Sequence, residues 1–342
     1  MALLLTGVQL LAVWVVVPLG LGLVADLPGR RALRWTHPLG ALLATAGLLL
    51  PAGPVAAVCA AAYGAWCLGA AASGAVLLSR VARERRSEPT HAGPHHRHHP
   101  AQPSTASPHD LAQVGPHHPA QPGPHDPALL GANGRRTSAR LTAAALRPHA
   151  FAPVVALLSL PVAGLGMVAS RGGWQLFGFK LVMLTLTSVH FHFAGFGAAL
   201  IAGLTARAVR TWWAEAACAT VLVSPALIGF AFFVSPIAQL PGVVALSMGV
   251  VILAIPILRS RPDALRTISA MSVLVPMVLA VWWTTGLAFD VPHLSLAWTA
   301  ATHGVVNALG YTVCGLLGWR GAADQNALHR AGKTGVPTRS GV

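Results

Sequence analysis

Apolar runs separated by short polar segments set the rhythm of this chain. Nine runs approach the ~20 apolar residues that a helix needs to cross a hydrocarbon core: Leu3–Val24, Pro38–Pro54, Val55–Leu78, Phe151–Ala169, Leu181–Leu204, Trp212–Val234, Val243–Leu258, Ile268–Ala288 and Ser295–Leu317. The second and seventh are short, and Pro51 and Pro54 blur the boundary between the second and third. The pattern therefore predicts an all-α, polytopic transmembrane helical bundle of eight or nine spans, about nine being the better fit.

One stretch breaks the rhythm. Residues 80–148 are rich in Pro, His, Ala and Gln and poor in large apolar side chains. They hold an imperfect duplication, in which Gly93-Pro94-His95-His96 and Pro100-Ala101-Gln102-Pro103 return as Gly115-Pro116-His117-His118-Pro119-Ala120-Gln121-Pro122. Such a segment buries too little apolar area to offset its ordering entropy. The expected organisation is a three-helix membrane part (1–79), a disordered His/Pro-rich cytoplasmic linker (80–148), a six-helix membrane domain (149–319) and a basic cytoplasmic tail (320–342). The nine linker histidines can collect Zn²⁺, Ni²⁺ or Cu²⁺ weakly; repeat drift without a function explains them as well.

Composition sharpens this picture. Hydrophobic residues are 54% and charged residues 9% of the chain, against about 25% charged in an ordinary soluble domain. The net charge of +14 raises the question of nucleic acid, but its distribution argues against that partner. The arginines lie in short segments between apolar runs, as topology signals and contacts for anionic headgroups do. With nine spans and the N-terminus outside, of the 23 basic residues only Arg171 and Lys180 fall on the outer side. The expected location is the cell membrane, with the linker and C-terminus cytoplasmic. No Lys or Arg precedes the first run, so it lacks a secretory n-region and reads as a retained helix. Cys59, Cys67, Cys218 and Cys314 sit inside apolar runs without a C-x-x-C pair, as small packing residues do.

The candidate chemistry lies inside the runs. An imidazole in hydrocarbon is rarely kept without a partner or a task. His190-Phe191-His192 occupies the middle of the fifth run, and its two histidines point about 200° apart on a helix. His192 shares a face with Ser188, Gly195, Ala199 and Gly203, a small-residue ladder that lets another helix approach; His190 shares the opposite side with Thr187 and Ala194. In the ninth run Thr299, His303 and Asn307 form an i, i+4 stripe, so Asn307 can bond His303 one turn away. His190 and His303 lie about 14 and 12 Å from the outer ends of their helices at ~1.5 Å per residue. His190, His192 and His303 can therefore meet at one depth, as a proton-relay or substrate site, as metal or haem ligands, or as pins between helices. Glu215 lies near an inner end and is expected to meet Arg207, Arg210 or water. No cofactor is required by the sequence.

Several enzyme templates fail. The helices hold no H-x-x-x-H or H-x-x-H-H boxes of membrane desaturases and hydroxylases. His303 and Asn307 fit the H-x-x-x-N of glutamyl intramembrane proteases, but the paired glutamates are missing. Ala71-Ala72-Ser73-Gly74 lacks the leading glycine of a rhomboid nucleophile. Thr187-Ser188-Val189-His190-Phe191-His192-Phe193-Ala194-Gly195-Phe196 and His303-Gly304-Val305-Val306-Asn307-Ala308-Leu309-Gly310-Tyr311, in that order and spacing, resemble the YndJ-like family of bacterial membrane proteins over roughly 151–318. That resemblance implies a multi-pass protein of uncharacterised activity and transfers no substrate, cofactor or catalytic role. Three functions stay open: small-molecule or ion handling, with proton coupling, at His190, His192 and His303; a membrane enzyme with a His-ligated metal or haem; and a non-catalytic accessory or assembly protein. Whether the chain is an enzyme at all is left open by the residues.

Overall fold

The computed structural model describes residues 1–24, 26–86, 147–260 and 263–333. Among these residues there is no strand. Among the described residues nine long helices run in order: α1 (Ala2–Leu23), α2 (Arg30–Leu49), α3 (Pro54–Arg86), α4 (Pro148–Gly172), α5 (Leu181–Val209), α6 (Trp212–Ala231), α7 (Pro236–Arg259), α8 (Ala264–Phe289) and α9 (296–333). All but α2 and α9 are long and apolar enough by composition to cross a membrane. Arg34 and His37 dilute α2; His303 and Asn307 dilute α9. The polytopic helical architecture read from the hydropathy pattern is the observed one.

Local chemistry sets the boundaries. Side-chain oxygens of Thr211, Ser235, Asp263 and Ser295 accept backbone N–H groups at the starts of α6, α7, α8 and α9, satisfying donors that a helix start leaves unpaired. Gly173 ends α4 with φ 73°, a left-handed conformation glycine adopts freely. Pro54 opens α3 at its first position, where its missing N–H costs nothing, so Leu50–Gly53 is the break between the second and third helices. Pro276 interrupts α8: the helix is irregular at Val273 between Ala264–Ser272 and Leu274–Phe289, since proline cannot donate to the carbonyl four residues back.

Several expected boundaries move. α2 begins before Pro38, which sits inside it, and α7 starts at Pro236, again with proline at a position that tolerates it. α3 continues to Arg86 and α4 begins at Pro148 with Arg147 before it, so both edges of the expected linker move; residues 87–146 lie outside the described residues. The tail expected from residue 320 is helical as far as Lys333.

Met1–Val81 and Arg147–Val342 form one compact unit, so the helices before and after the His/Pro-rich segment share a core. α5 is its centre: 72% of its apolar window is buried, more than in any other span. Small residues allow the close approach. A Cβ on Gly166 would lie 2.8 Å from the Leu184 carbonyl oxygen and 3.0 Å from the Ser188 nitrogen, and one on Gly195 would lie 2.7 Å from Ser159 Cβ. Gly203 meets Ala152 in the same way. The ladder expected on the His192 face of α5 is thus the seam with α4. α1 enters the same core, where Gly20 receives the Phe196 ring.

The helix ends pair in register with an up-and-down bundle. Arg171 at the end of α4 donates from Nε to the Gly47 carbonyl (2.9 Å) and from the other arm of its guanidinium to the Leu50 carbonyl, covering the carbonyls that the end of α2 leaves free. At the opposite end of α2, the Arg30 guanidinium donates to the Gly22 carbonyl at 3.0 Å.

Buried histidines and a charge-free cavity

Three helices widen where they meet. α1 is π-helical over Ala12–Val16, α5 over Phe191–Gly197, and α9 over Ala300–Gly304 and Val306–Val313. In α5 the Ala198 N–H reaches back five residues to the Phe193 carbonyl. A π-turn is one residue wider than an α-turn and recurs at functional sites. The wide stretches of α1, α5 and α9 pack against one another, with Gly197 of α5 against Thr312 of α9 and Val16 of α1.

Beside this junction lies a cavity of about 730 Å³. Thr187, His190, Phe191 and Ala194 line it from α5; Thr299, His303, Asn307 and Tyr311 line it from α9. Gln239 and Ser247 of α7, Thr284 of α8 and Thr312 of α9 add polar side chains, and the rest of the wall is mostly aliphatic or aromatic. Among the described residues no Lys, Arg, Asp or Glu lines it. His190, His303 and Asn307 are only half-buried, although they lie deep in the bundle, because they face this space.

The bonding around His303 fixes its roles. Its Nδ1–H donates to the Pro276 carbonyl at 2.7 Å, which leaves Nε2 as an acceptor. The Asn307 amide nitrogen lies 3.3 Å from that Nε2, the bond expected from the one-turn spacing. With the amide so oriented, Asn307 Oδ1 is buried without a partner, as are His190 Nε2 and Thr299 Oγ1. A buried polar atom without a partner costs about 1–3 kcal/mol; these three have almost no accessible surface and are enclosed by protein beside the cavity. His190 packs edge-on to Phe191, ring centroids 6.0 Å apart, and shares the cavity wall with His303.

His192 has a different neighbourhood. It is fully buried, does not line the cavity, and both ring nitrogens are bonded. Nδ1–H donates to the Ser188 carbonyl at 2.8 Å, and Nε2 accepts the Tyr63 hydroxyl at 2.9 Å. The Tyr63 ring stacks on it at 5.8 Å and on Trp66 at 5.7 Å, and Trp66 meets His37 edge-on at 4.9 Å. Trp66 Nε1–H donates to the Leu33 carbonyl. This column of rings ties α2 and α3 to α5.

The structure thus brings His190, His303, Asn307 and Thr299 to one cavity and sends His192 to another contact. The three imidazoles expected as a metal set do not converge, for the reason the 200° separation implies: His192 faces α3 with no free nitrogen. Among the described residues no group of three or more His, Cys, Asp or Glu is placed to hold a metal ion. Glu215 also departs from expectation. It takes the His149 backbone N–H (3.1 Å) and lies 2.5 Å from His149 Nδ1, with Arg147 at 4.0 Å; Arg207 and Arg210 are not its partners. An anion there faces the positive end of α4. The sequence reading missed Tyr63, although tyrosine is a signal: the chain has only two, one bonded to His192 and the other, Tyr311, in the cavity wall.

Fold and site together define a polytopic α-helical membrane protein with a histidine-bearing cavity inside its bundle. The chain belongs to the YndJ-like family, whose model matches residues 7–311, a reach that takes in α1 as well as the blocks on α5 and α9. No curated protein and no solved structure is detectably similar to it.

Proposed function

We propose that this protein handles a small molecule in the cavity between α5 and α9, with His190 and His303 as the polar groups that hold it and exchange a proton with it. The observation that carries the reading is the wall itself: two imidazoles, two amides and several hydroxyls line about 730 Å³ of mostly apolar space. The size and chemistry are those of ligand pockets, mostly apolar with a few placed polar groups. Handling of a bare ion is the weaker form, since no carboxylate is present to replace its hydration. His192 acts as a pin, which its two bonded nitrogens support.

The proposal extends to the arrangement in the cell membrane. The basic residues favour an outward N-terminus, with the linker 80–148 and the C-terminus cytoplasmic and the inner-face arginines on anionic headgroups. The linker then joins a three-helix part to a six-helix part from the inner side.

Ligand-induced stabilisation tests the site. Purified protein is melted against a panel of small molecules, and the compounds that raise its melting temperature are followed as fluxes into proteoliposomes across a pH gradient. The expected result is a rise that His190→Ala and His303→Ala both abolish, and a flux that follows the gradient. A panel without any stabilising compound, or stabilisation indifferent to both substitutions, removes the reading.

A further inference from the structure

We infer that the molecule taken by this cavity is a long-chain carboxylic acid, which enters from the bilayer in its uncharged form and hands its proton to His190. The inference rests on the ligand reading above and narrows it to a chemical class.

One ring nitrogen is open to the space. His303 is engaged at both of its nitrogens, by the Pro276 carbonyl and the Asn307 amide. His190 Nε2 is enclosed by protein. His190 Nδ1 keeps accessible surface and has no hydrogen bond among the described residues, on a half-buried ring that lines the cavity. With the hydrogen on Nε2, Nδ1 is an acceptor, so the head that meets it must give a proton.

Charge balance then chooses the head. Among the described residues no Lys, Arg, Asp or Glu lines the cavity, so an ion that arrives alone finds no countercharge and is heavily penalised. An alcohol is too weak an acid to give imidazole its proton. An amine brings the wrong balance: ring and amine sharing one proton form a lone cation in a wall without a carboxylate. A carboxylic acid in water is a stronger acid than imidazolium, ~4.3 against ~6.5. Its O–H bond breaks, the Nδ1–H bond forms, and the electron pair stays on the carboxylate. Acid and ring are each neutral before the transfer, and together they are neutral after it.

A second group stands at the level of His190. Ser247 is 7% exposed and lines the cavity, and its hydroxyl makes no hydrogen bond among the described residues. Phe179 before α5 meets Phe233 before α7, ring centroids 5.2 Å apart, so the two helices start at one end of the bundle. From there His190 lies ~14 Å along α5 and Ser247 ~17 Å along α7, at ~1.5 Å per residue. The Ser247 hydroxyl is thus at the depth from which it can donate to the acid's carbonyl oxygen.

The rest of the wall takes the chain, being mostly aliphatic or aromatic, and the rim gives the route. Val162 and Leu165 of α4, Phe177 in the turn before α5 and Phe233 after α6 belong to the cavity wall and are 38%, 52%, 76% and 59% exposed. An apolar rim on a membrane helix faces acyl chains, so an uncharged acid dissolved in the bilayer reaches the cavity without crossing water.

The test uses the full chain in phosphatidylcholine nanodiscs and three photoactivatable probes with the same mid-chain diazirine: a C16 carboxylic acid, the C16 alcohol and the C16 trimethylammonium. Labelled residues are mapped by mass spectrometry, with unlabelled hexadecanoic acid as competitor. Proton uptake on binding is read with an indicator dye in weak buffer at mildly alkaline pH, where the free acid is ionised. The acid is expected to label Phe191 and Ala194 at least about tenfold more than either other probe, the equivalent of ~1.4 kcal/mol, and to be competed away. Each bound acid should take up about one proton, because it carries that proton into the site, and the alcohol none. His190→Leu should lower the acid to the level of the alcohol and remove the uptake; the comparison among heads and the proton count on unaltered protein stand even if the variant fails to accumulate. Equal labelling by all three probes means ordinary bilayer chains fill the space and overturns the inference. Acid labelling without proton uptake means a carboxylate binds as an ion and overturns it too. Preference for the alcohol or the ammonium overturns the class and leaves the site. No labelling, while a water-soluble compound raises the melting temperature through His190, does the same. No labelling and no stabilising compound brings down both readings.

Discussion

At the scale of single residues, His190 and His192 are two positions apart and carry opposite consequences. His192 is satisfied at both nitrogens, so removing the Tyr63 hydroxyl strands its Nε2 in a closed core. Tyr63→Phe is therefore expected to destabilise by about 1–3 kcal/mol, read as a lower unfolding midpoint in a denaturant titration of purified protein. His190→Ala enlarges an existing cavity and removes an atom that already has no partner, so its cost should be the smaller of the two. Equal midpoints would mean that the hydroxyl bond does not hold α3 to α5. Asp263 is the residue with a pH signature. Burial alone would raise its carboxyl, but the Arg266 backbone N–H, the Arg266 guanidinium bond and its positive charge outweigh burial and hold it below the usual carboxylate range. A group lowered on folding contributes stability above its unfolded pKa and loses it as pH falls through the folded value. Asp263→Asn should thus lower the melting temperature at neutral pH and match the native protein once the pH is below that depressed value. The effect is small, because the pair is part-exposed.

At the scale of elements, the π-turn of α5 makes a claim that can be cut out. A π-turn holds one residue more than an α-turn, so deleting Ala194 from Phe191–Gly197 lets the segment relax to α-helix while everything after Ala198 keeps its facing. Deleting Ala202, in the α-helical half of α5, rotates all that follows by about 100° and turns the buried Thr205 and Ala206 out of the core. The expected outcome is that the Ala194 deletion accumulates in membranes and melts cooperatively but loses ligand-induced stabilisation, whereas the Ala202 deletion fails to accumulate; the reverse order would show that the wide turn is a structural need. The helices were legible in the sequence because hydropathy over ~20 residues is a sum that single substitutions hardly change. The opposed directions of His190 and His192 and the Asn307–His303 bond were legible because they follow from local periodicity. The π-turns were not, since an extra residue in a wide turn has no compositional mark. Nor was the Tyr63–His192 bond, which spans 129 positions, nor the cavity, which is made of distances between helices.

At the scale of the whole molecule, Met1–Val81 and Arg147–Val342 fold as one unit, so the His/Pro-rich segment is expected to be dispensable to it. Removing Ser87–Ala132 leaves residues 133–147 to join α3 to α4, a reach of up to ~50 Å at ~3.3 Å per residue, and the melting temperature should not change. Orientation is the remaining global property, and here the helix ends and the arginines make one joint statement. The Arg171 guanidinium on the end of α2 and the His149–Glu215 contact between the starts of α4 and α6 place those groups at opposite ends of α4. Whichever face holds Glu215 therefore also holds the start of α4, and the other holds Gly173 and Lys180. The basic residues crowd toward the Glu215 side, which the positive-inside tendency assigns to the cytoplasm. An alkaline phosphatase reporter inserted at Gly173, active only outside the cytoplasm, should therefore be active, and green fluorescent protein fused after Val342, fluorescent only inside, should be fluorescent. An even number of crossings between those two points, revealed by both reporters signalling the same side, would require one of α5 to α9 not to span. α9 is the helix to watch, because it falls short on apolar composition and yet carries Thr299, His303 and Asn307. If α9 does not cross, those three residues lose the depth that brings them to His190, and the cavity loses its polar end.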